Sequence, residues 1–231
     1  MKRIFSSLIL PLMLFSALIF TSCSGLLGPD LPKGFVYLKD ECPEIKQDIK
    51  YYSGENFVGK RIDGYNEAVA ITTKETALAL NAVQKELAER KMSLIIYDAY
   101  RPQKAVNQFM AWAKDISDTL QKPAFYPNVK KSDLFKLNYI QEKSGHSRGS
   151  SVDVSIVDEN GKELDMGTPF DYFGSRSWPS SRLVTPKQRE NRMLLQFVMV
   201  KNGFNPYKEE WWHFTLKNEP FPETYFDFDV E

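Results

Sequence analysis

Ser144-Gly145-His146-Ser147-Arg148-Gly149-Ser150-Ser151-Val152-Asp153-Val154-Ser155-Ile156 is the stretch on which the reading of this chain turns. It begins as a loop punctuated by glycine and serine and passes into strict alternation, the pattern of a strand with one face in a core. Val152, Val154 and Ile156 share that face, so Asp153 projects from the other, away from their core. An acid held there is available to bind a ligand. His146, in the loop, is one of only two histidines in the chain. The other, His213, closes Glu210-Trp211-Trp212-His213, where a carboxylate and an imidazole sit among large aromatics that can exclude water.

Outward from this strand, Ser93-Leu94-Ile95-Ile96-Tyr97 is a short apolar run, and Trp211-Trp212-His213-Phe214-Thr215-Leu216 is aromatic and β-prone. Three helices are expected. One covers about Lys74 to Arg90, with Thr72 and Glu75 spaced as a capping box and Thr76, Leu80, Val83 and Leu87 as its apolar stripe. A second opens at Pro102 as first helical residue and carries Val106, Phe109, Met110 and Ala113. A third follows Thr185-Pro186, carries Leu194, Phe197 and Val198, and stops at Gly203. Strands and helices do not alternate regularly, as a parallel sheet would require. The expectation is therefore a single α+β domain, a small antiparallel sheet with helices packed on it.

Composition agrees. With 231 residues, 42% hydrophobic and 13% aromatic, the chain is globular, and its length suits one core or at most two small ones. Thirty basic and thirty acidic side chains give no net charge, which argues against a general nucleic-acid binder. Cys23 and Cys42 are too few for a disulfide scaffold or a thiolate zinc site. Cys42 reads as a plain loop residue.

The N-terminus reads as an export signal. Lys2 and Arg3 precede an uncharged run from Ile4 to Phe20, too short for a comfortable membrane span, followed by Thr21-Ser22-Cys23. The placement of Cys23 resembles a bacterial lipoprotein signal, cleaved before the cysteine, whose sulfur is then acylated. Phe20 departs from that pattern, which usually has an aliphatic residue three before the cysteine; a plain secretory signal or an uncleaved anchor is the alternative. Residues 1–22 are thus expected to be a signal peptide, 23–34 a flexible Gly- and Pro-rich tether, and 35–231 the folded domain. Loss of Lys2 and Arg3 from 30 basic residues would leave 28 against 30 acidic ones. The expected location is the periplasm, with a membrane attachment through the lipid.

His146, His213 and Asp153 would give a zinc ion three N/O ligands and leave a fourth position open, the arrangement of a catalytic site. Such an ion makes bound water acidic, and a nearby carboxylate can take its proton. Glu210 is the candidate base. In a regular strand residues 210 and 213 would face opposite sides, so this reading needs Glu210 at an irregular strand start. In Tyr97-Asp98-Ala99-Tyr100-Arg101-Pro102 a strand gives way to a helix, and Arg101 at the junction is a candidate to stabilise an oxyanion. Spacing alone leaves plainer readings open: a satisfied core histidine, a turn-forming aspartate, an arginine in a surface salt bridge.

Taken together the segments resemble the D-alanyl-D-alanine dipeptidases, the VanX type of zinc peptidase, which share a fold with zinc D,D-carboxypeptidases and the Hedgehog signalling domain. The resemblance runs from about Tyr51 onward. It includes Asn56-Phe57-x-Gly59-Lys60, Asp63-Gly64-Tyr65, Asp98-x-Tyr100-Arg101-Pro102 and Ser144-x-His146-Ser147-Arg148-Gly149-Ser150-x-x-Asp153. It continues through Met166-Gly167-x-x-Phe170-Asp171, Asn191-Arg192, Glu210-Trp211-Trp212-His213 and Tyr225-Phe226-Asp227-Phe228. Two departures stand out: Gly145 replaces a second serine of the motif, and an N-terminal signal is absent from the cytoplasmic resistance enzymes of this type.

The resemblance implies one Zn2+ on His146, Asp153 and His213, Glu210 as general base and Arg101 as transition-state stabiliser. It further implies Tyr51, Ser144 and Asp171 in the substrate pocket, with Asp171 paired to the ammonium of D-Ala-D-Ala. An exported enzyme meets only dipeptide outside the inner membrane, so the expected role is wall-peptide turnover or scavenging. The alternatives are a D,D- or L,D-carboxypeptidase on wall stem peptides, and a wall-binding lipoprotein without activity.

Overall fold

The computed structural model describes residues 31–231; the expected signal segment, the acylation site Cys23 and the tether as far as Asp30 lie outside the described residues. In chain order the elements are β1 (Phe35–Tyr37), α1 (Leu38–Glu41), β2 (Lys46–Gln47), β3 (Ile71–Thr73), α2 (Lys74–Ala88), β4 (Ser93–Asp98), α3 (Gln103–Lys114), α4 (Lys122–Phe125), β5 (Ser151–Val157), α5 (Pro186–Lys201), β6 (Phe204–Pro206) and β7 (His213–Leu216). The main sheet has the order β2-β4-β5-β7-β6, and β1 and β3 form a separate antiparallel pair. Every pairing in the main sheet is antiparallel except that of β2 with β4. The expected α+β class and sheet sense hold, with one parallel edge strand added.

Strand β5 lies between β4 and β7, and all seven of its residues are buried. Val152, Val154 and Ile156 join one apolar cluster with Leu80, Val83 and Leu87 of α2 and Leu195 and Val198 of α5. Ser151 and Asp153, on the opposite face, are polar yet enclosed. The alternating pattern therefore marks a change in the chemistry of two covered faces, not a boundary with water. Asp153 is correspondingly buried, not standing free as the strand pattern suggested.

Helix boundaries follow local chemistry. The N-cap of α2 is Thr73, whose hydroxyl accepts from the Thr76 N–H at 3.4 Å. Thr72, expected to cap, instead donates to the Gly149 carbonyl at 2.9 Å and ties β3 to the loop after His146. Pro102 stands just outside α3, not in its first turn. Helix α5 does begin with a capping box, between Thr185 and Gln188. Its inward face differs from the expected stripe: Phe197 is 57% exposed, and Asn191, Arg192, Leu195, Val198 and Met199 are buried. Arg192 explains the rotation. Its Nε donates to the Met166 carbonyl at 2.6 Å and its Nη1 to those of Arg176 and Trp178 at 2.9 Å, so a charged side chain holds the 166–178 segment from inside.

Two further features back the site. Gly149, at φ +81°, ends the short turn Gly145–Arg148, and a Cβ there would run into the Phe35 ring; only glycine meets both conditions. The Phe226 N–H donates to the Ser147 carbonyl at 2.8 Å, and the Tyr100 and Phe228 rings stack at 4.0 Å. Cys42, in contrast, is buried against the Ala77 carbonyl, with burial pushing its thiol up to about 11. At the N-terminal edge, Leu31 packs on the core and the Gly34 carbonyl accepts from the Lys74 N–H.

Candidate metal centre and active site

The first ligand candidate is presented by a turn, the other two by the sheet. In the turn Gly145–Arg148, the Ser144 hydroxyl caps the start by accepting from the His146 N–H at 3.3 Å. His146 Nδ1 lies 2.7 Å from the Ala99 carbonyl. A carbonyl can only accept, so Nδ1 carries the proton and Nε2 of the neutral ring presents a lone pair. Asp153 and His213 are directly opposed in the antiparallel register of β5 and β7, so the sheet itself sets their spacing.

The three donors converge. His146 Nε2 is 3.1 Å from His213 Nδ1 and 3.3 Å from Asp153 Oδ2, and His213 Nδ1 is 3.1 Å from Asp153 Oδ1. Ligands ~2.0–2.1 Å from a tetrahedral zinc stand about 3.3 Å from one another; the two imidazole nitrogens have that spacing, each has one Asp153 oxygen at that spacing, and single donor atoms of the three residues lie within 4.8 Å of one another. Lone pairs of two imidazoles and a carboxylate at this separation repel unless a positive charge lies among them. Without an ion, protons supply that positive charge: burial alone would raise the Asp153 carboxyl, but the positively charged forms of His146 and His213 beside it outweigh burial and hold it well below the usual range. Burial likewise would lower His213, and the Asp153 carboxylate outweighs it and raises its pKa.

Glu210 lies ahead of β7, which begins only at His213, so the irregular strand start that its candidate role needs is present. Its Oε2 is 3.8 Å from His213 Nδ1. In the metal-free site burial, with the nearby Asp153 charge, pushes its carboxyl up to about 7; a carboxylate in this position can take a proton from water and return it.

Arg101 is not in a surface salt bridge. Its Nε and Nη2 donate to Asp98 Oδ2 at 2.9 and 2.8 Å, and Nη2 stands 3.5 Å from both Asp153 Oδ2 and the Tyr51 hydroxyl. The guanidinium lies over the Tyr51 ring at 4.9 Å and the Phe109 ring at 5.2 Å. Asp98, fully buried, also accepts from the Tyr65 hydroxyl at 2.6 Å. A register shift between Ile96 and Asp98 brings Asp98 opposite Asp153, and Arg101 answers both carboxylates. Asp98 and Tyr65 are the residues to which the sequence reading gave no role. The signal was present, since Asp98 stands three residues before Arg101 at the end of an apolar strand.

Tyr51, Ser144 and Asp171 line the same cavity as the candidate metal ligands, Glu210 and Arg101. The Tyr51 hydroxyl donates to Asp171 Oδ2 at 2.8 Å. Asp171 adopts φ +59° and is buried, and burial together with the Asp153 charge holds its carboxyl well above the usual range. The cavity, about 190 Å³, is smaller than the ~300–1,000 Å³ of sites for drug-sized ligands. It suits a small substrate.

A His, His, Asp cluster able to hold one metal ion, with an adjacent carboxylate and a half-buried arginine, is the equipment of a metal-dependent hydrolase of acyl bonds. Residues 32–231 match the D-ala-D-ala dipeptidase family of peptidases, and the chain belongs to that family. The D-alanyl-D-alanine dipeptidase of Enterococcus faecalis is 37% identical over 201 residues, covering 87% of this chain and 100% of that protein. The dipeptidase of Escherichia coli is 34% identical over 177 residues, 75% of this chain and 80% of the other. Among solved structures, a vancomycin-resistance D,D-pentapeptidase in complex with Zn(II) aligns with a TM-score of 0.40 and 12% identity over 68% of this chain and 78% of that one.

Proposed function

We propose that this chain hydrolyses the free dipeptide D-alanyl-D-alanine to D-alanine, with one zinc ion held by His146 Nε2, Asp153 and His213 Nδ1. The observation that carries the reading is convergence: three metal donors, Glu210, Arg101 and the Asp171–Tyr51 pair face one small cavity. When bound, zinc supplies a Lewis acid and makes water acidic near neutral pH. Glu210 takes a proton from the attacking water and returns it to the leaving amine nitrogen. Arg101 faces the oxygen on which negative charge develops, held ready by Asp98 so that no reorganisation is needed during the reaction. Asp171, a buried carboxyl held above the usual range by burial, pairs with the ammonium of a free dipeptide, which an N-acylated chain lacks.

Around this chemistry we place an exported protein, acylated on Cys23 after loss of residues 1–22 and attached to the membrane by its lipid. The N-terminal sequence supports this through its basic start, apolar run and cysteine. An enzyme so placed acts in wall-peptide turnover or scavenging. Recovery of the mature protein from the cytoplasm would overturn that placement.

The test of activity is release of D-alanine by zinc-loaded protein lacking the first 22 residues, from D-Ala-D-Ala and from N-acyl-D-Ala-D-Ala, with and without chelator. Chelator-sensitive cleavage of the free dipeptide alone is the expected result. Cleavage of the acylated substrate would indicate a carboxypeptidase, and cleavage of neither, with metal bound, a binding protein.

A further inference from the structure

The face of the sheet that carries two metal ligands also carries a second polar rung. Strands β5 and β7 pair Asp153 with His213 and, two residues along on the same face, Ser151 with Thr215. The Ser151 and Thr215 hydroxyl oxygens are 2.7 Å apart, and Thr215 Oγ1 is 3.4 Å from Nε2 of His213. His213 turns Nδ1 toward Asp153 and His146. A neutral imidazole that offers Nδ1 to a metal must carry its proton on Nε2, and Thr215 Oγ1 is placed to accept it. Thr215 Oγ1 shares a second hydrogen bond with Ser151 Oγ, in which either hydroxyl can donate.

Gly145, which immediately precedes the ligand His146, explains how the rung fits. A Cβ on Gly145 would stand 2.6 Å from Ser151 Oγ. The backbone at Gly145 is not in the left-handed region, so the reason for glycine is space. The room left by the absent side chain at 145 is taken by the hydroxyl at 151.

We propose that Thr215 and Ser151 are positioning residues for the metal centre: they fix His213 in the Nε2–H tautomer and orient its ring, and Gly145 is matched to them. The inference rests on the reading of His146, Asp153 and His213 as the zinc site. Partners of this kind typically contribute about 10–100-fold to metal affinity.

The test is the zinc dissociation constant of the full-length protein in mild detergent, measured by competition with a chromophoric chelator. Thr215→Val, which keeps shape and removes the hydroxyl, is expected to weaken zinc about 10–100-fold, whereas Thr215→Ser restores affinity to near that of the unsubstituted protein. Ser151→Ala weakens zinc less. Gly145→Ala weakens zinc when Ser151 is present and has little effect beside Ser151→Ala. Equal affinity of Thr215→Val and the unsubstituted protein would overturn the inference, as would failure of Thr215→Ser to rescue, or independent effects of Gly145→Ala and Ser151→Ala. Should Thr215→Val not fold, the Gly145 and Ser151 cycle decides alone. Failure of the unsubstituted protein to bind zinc would instead overturn the metal-site reading on which the inference rests, and is told apart by that measurement.

Discussion

Asp98→Asn should disable the enzyme without emptying its metal site. Arg101 donates twice to the Asp98 carboxylate, at 2.9 and 2.8 Å, and its next carboxylate is Asp153 at 3.5 Å. Hydrogen bonds involving a charged group contribute roughly 1.5–3 kcal/mol each; the guanidinium keeps its charge but loses its ion pair, so the substitution weakens this tether by about the worth of one such bond, ~1.5–3 kcal/mol. The amide that replaces the carboxylate keeps one acceptor oxygen, for which Arg101 and the Tyr65 hydroxyl then compete. With the balance between its two carboxylates gone, the guanidinium pivots toward Asp153 and away from the developing oxyanion. Loss of one such donor costs about 10²–10³ in kcat. The assay is steady-state release of D-alanine from D-Ala-D-Ala by zinc-loaded protein, with zinc affinity measured in parallel. The expected result is kcat down by that factor, KM changed by no more than about threefold, and zinc retained. A folded, zinc-loaded Asp98→Asn protein with kcat near that of the unsubstituted enzyme would refute the claim that Asp98 holds Arg101 for catalysis.

Three other outcomes follow from the same geometry. Glu210→Ala should keep zinc, since Glu210 is not among the three donors, and lose about 10²–10⁴ in kcat; near-normal turnover would remove Glu210 from its role. Asp171→Asn should raise KM for the free dipeptide and narrow the preference over N-acyl-D-Ala-D-Ala, read from kcat/KM for both substrates; an unchanged ratio would separate Asp171 from ammonium recognition. In the metal-free protein, stability should fall as pH rises from about 4.5 to 7, because Glu210 binds its proton more tightly folded, with a pKa of about 7 against 4.5. That shift corresponds to at most about 3 kcal/mol. The raised pKa of His213 acts in the same direction, its contribution being present below about 6.5 and lost as pH passes the folded value. Urea melts of chelated protein at pH 5 and 8 check this, and higher stability at pH 8 would contradict it.

Much of this was legible in the sequence because the site is built on regular elements. Alternation at 151–156 marks the central strand and the strand carrying His213 is also recognisable, but the register that sets Asp153 opposite His213 appears only in the structure. The capping of α5 could be read from Thr185-Pro186, since it depends only on neighbours. The inward face of α5 could not. Periodicity assumes that apolar residues point in, whereas Arg192 is buried to bind three carbonyls of a distant segment. Thr72 departs from the expected capping role because its hydroxyl serves Gly149, 77 residues away, while Thr73 caps the helix. The grip of Asp98 on Arg101 depends on a register shift at the end of β4, which no pattern of residue types encodes.

Of the three candidate metal donors, His213 is far along the chain from the other two, 60 residues from Asp153 and 67 from His146. An ion that ligates all three is also a clasp, closing loops whose entropy the chain must otherwise surrender alone. Anything that binds only the folded form stabilises it by mass action, so the 158–212 segment between the second and third donors is tethered more tightly when the clasp is closed. Metal supply then governs more than turnover. On the proposed zinc reading, metal-free molecules are both idle and easier for a protease to open.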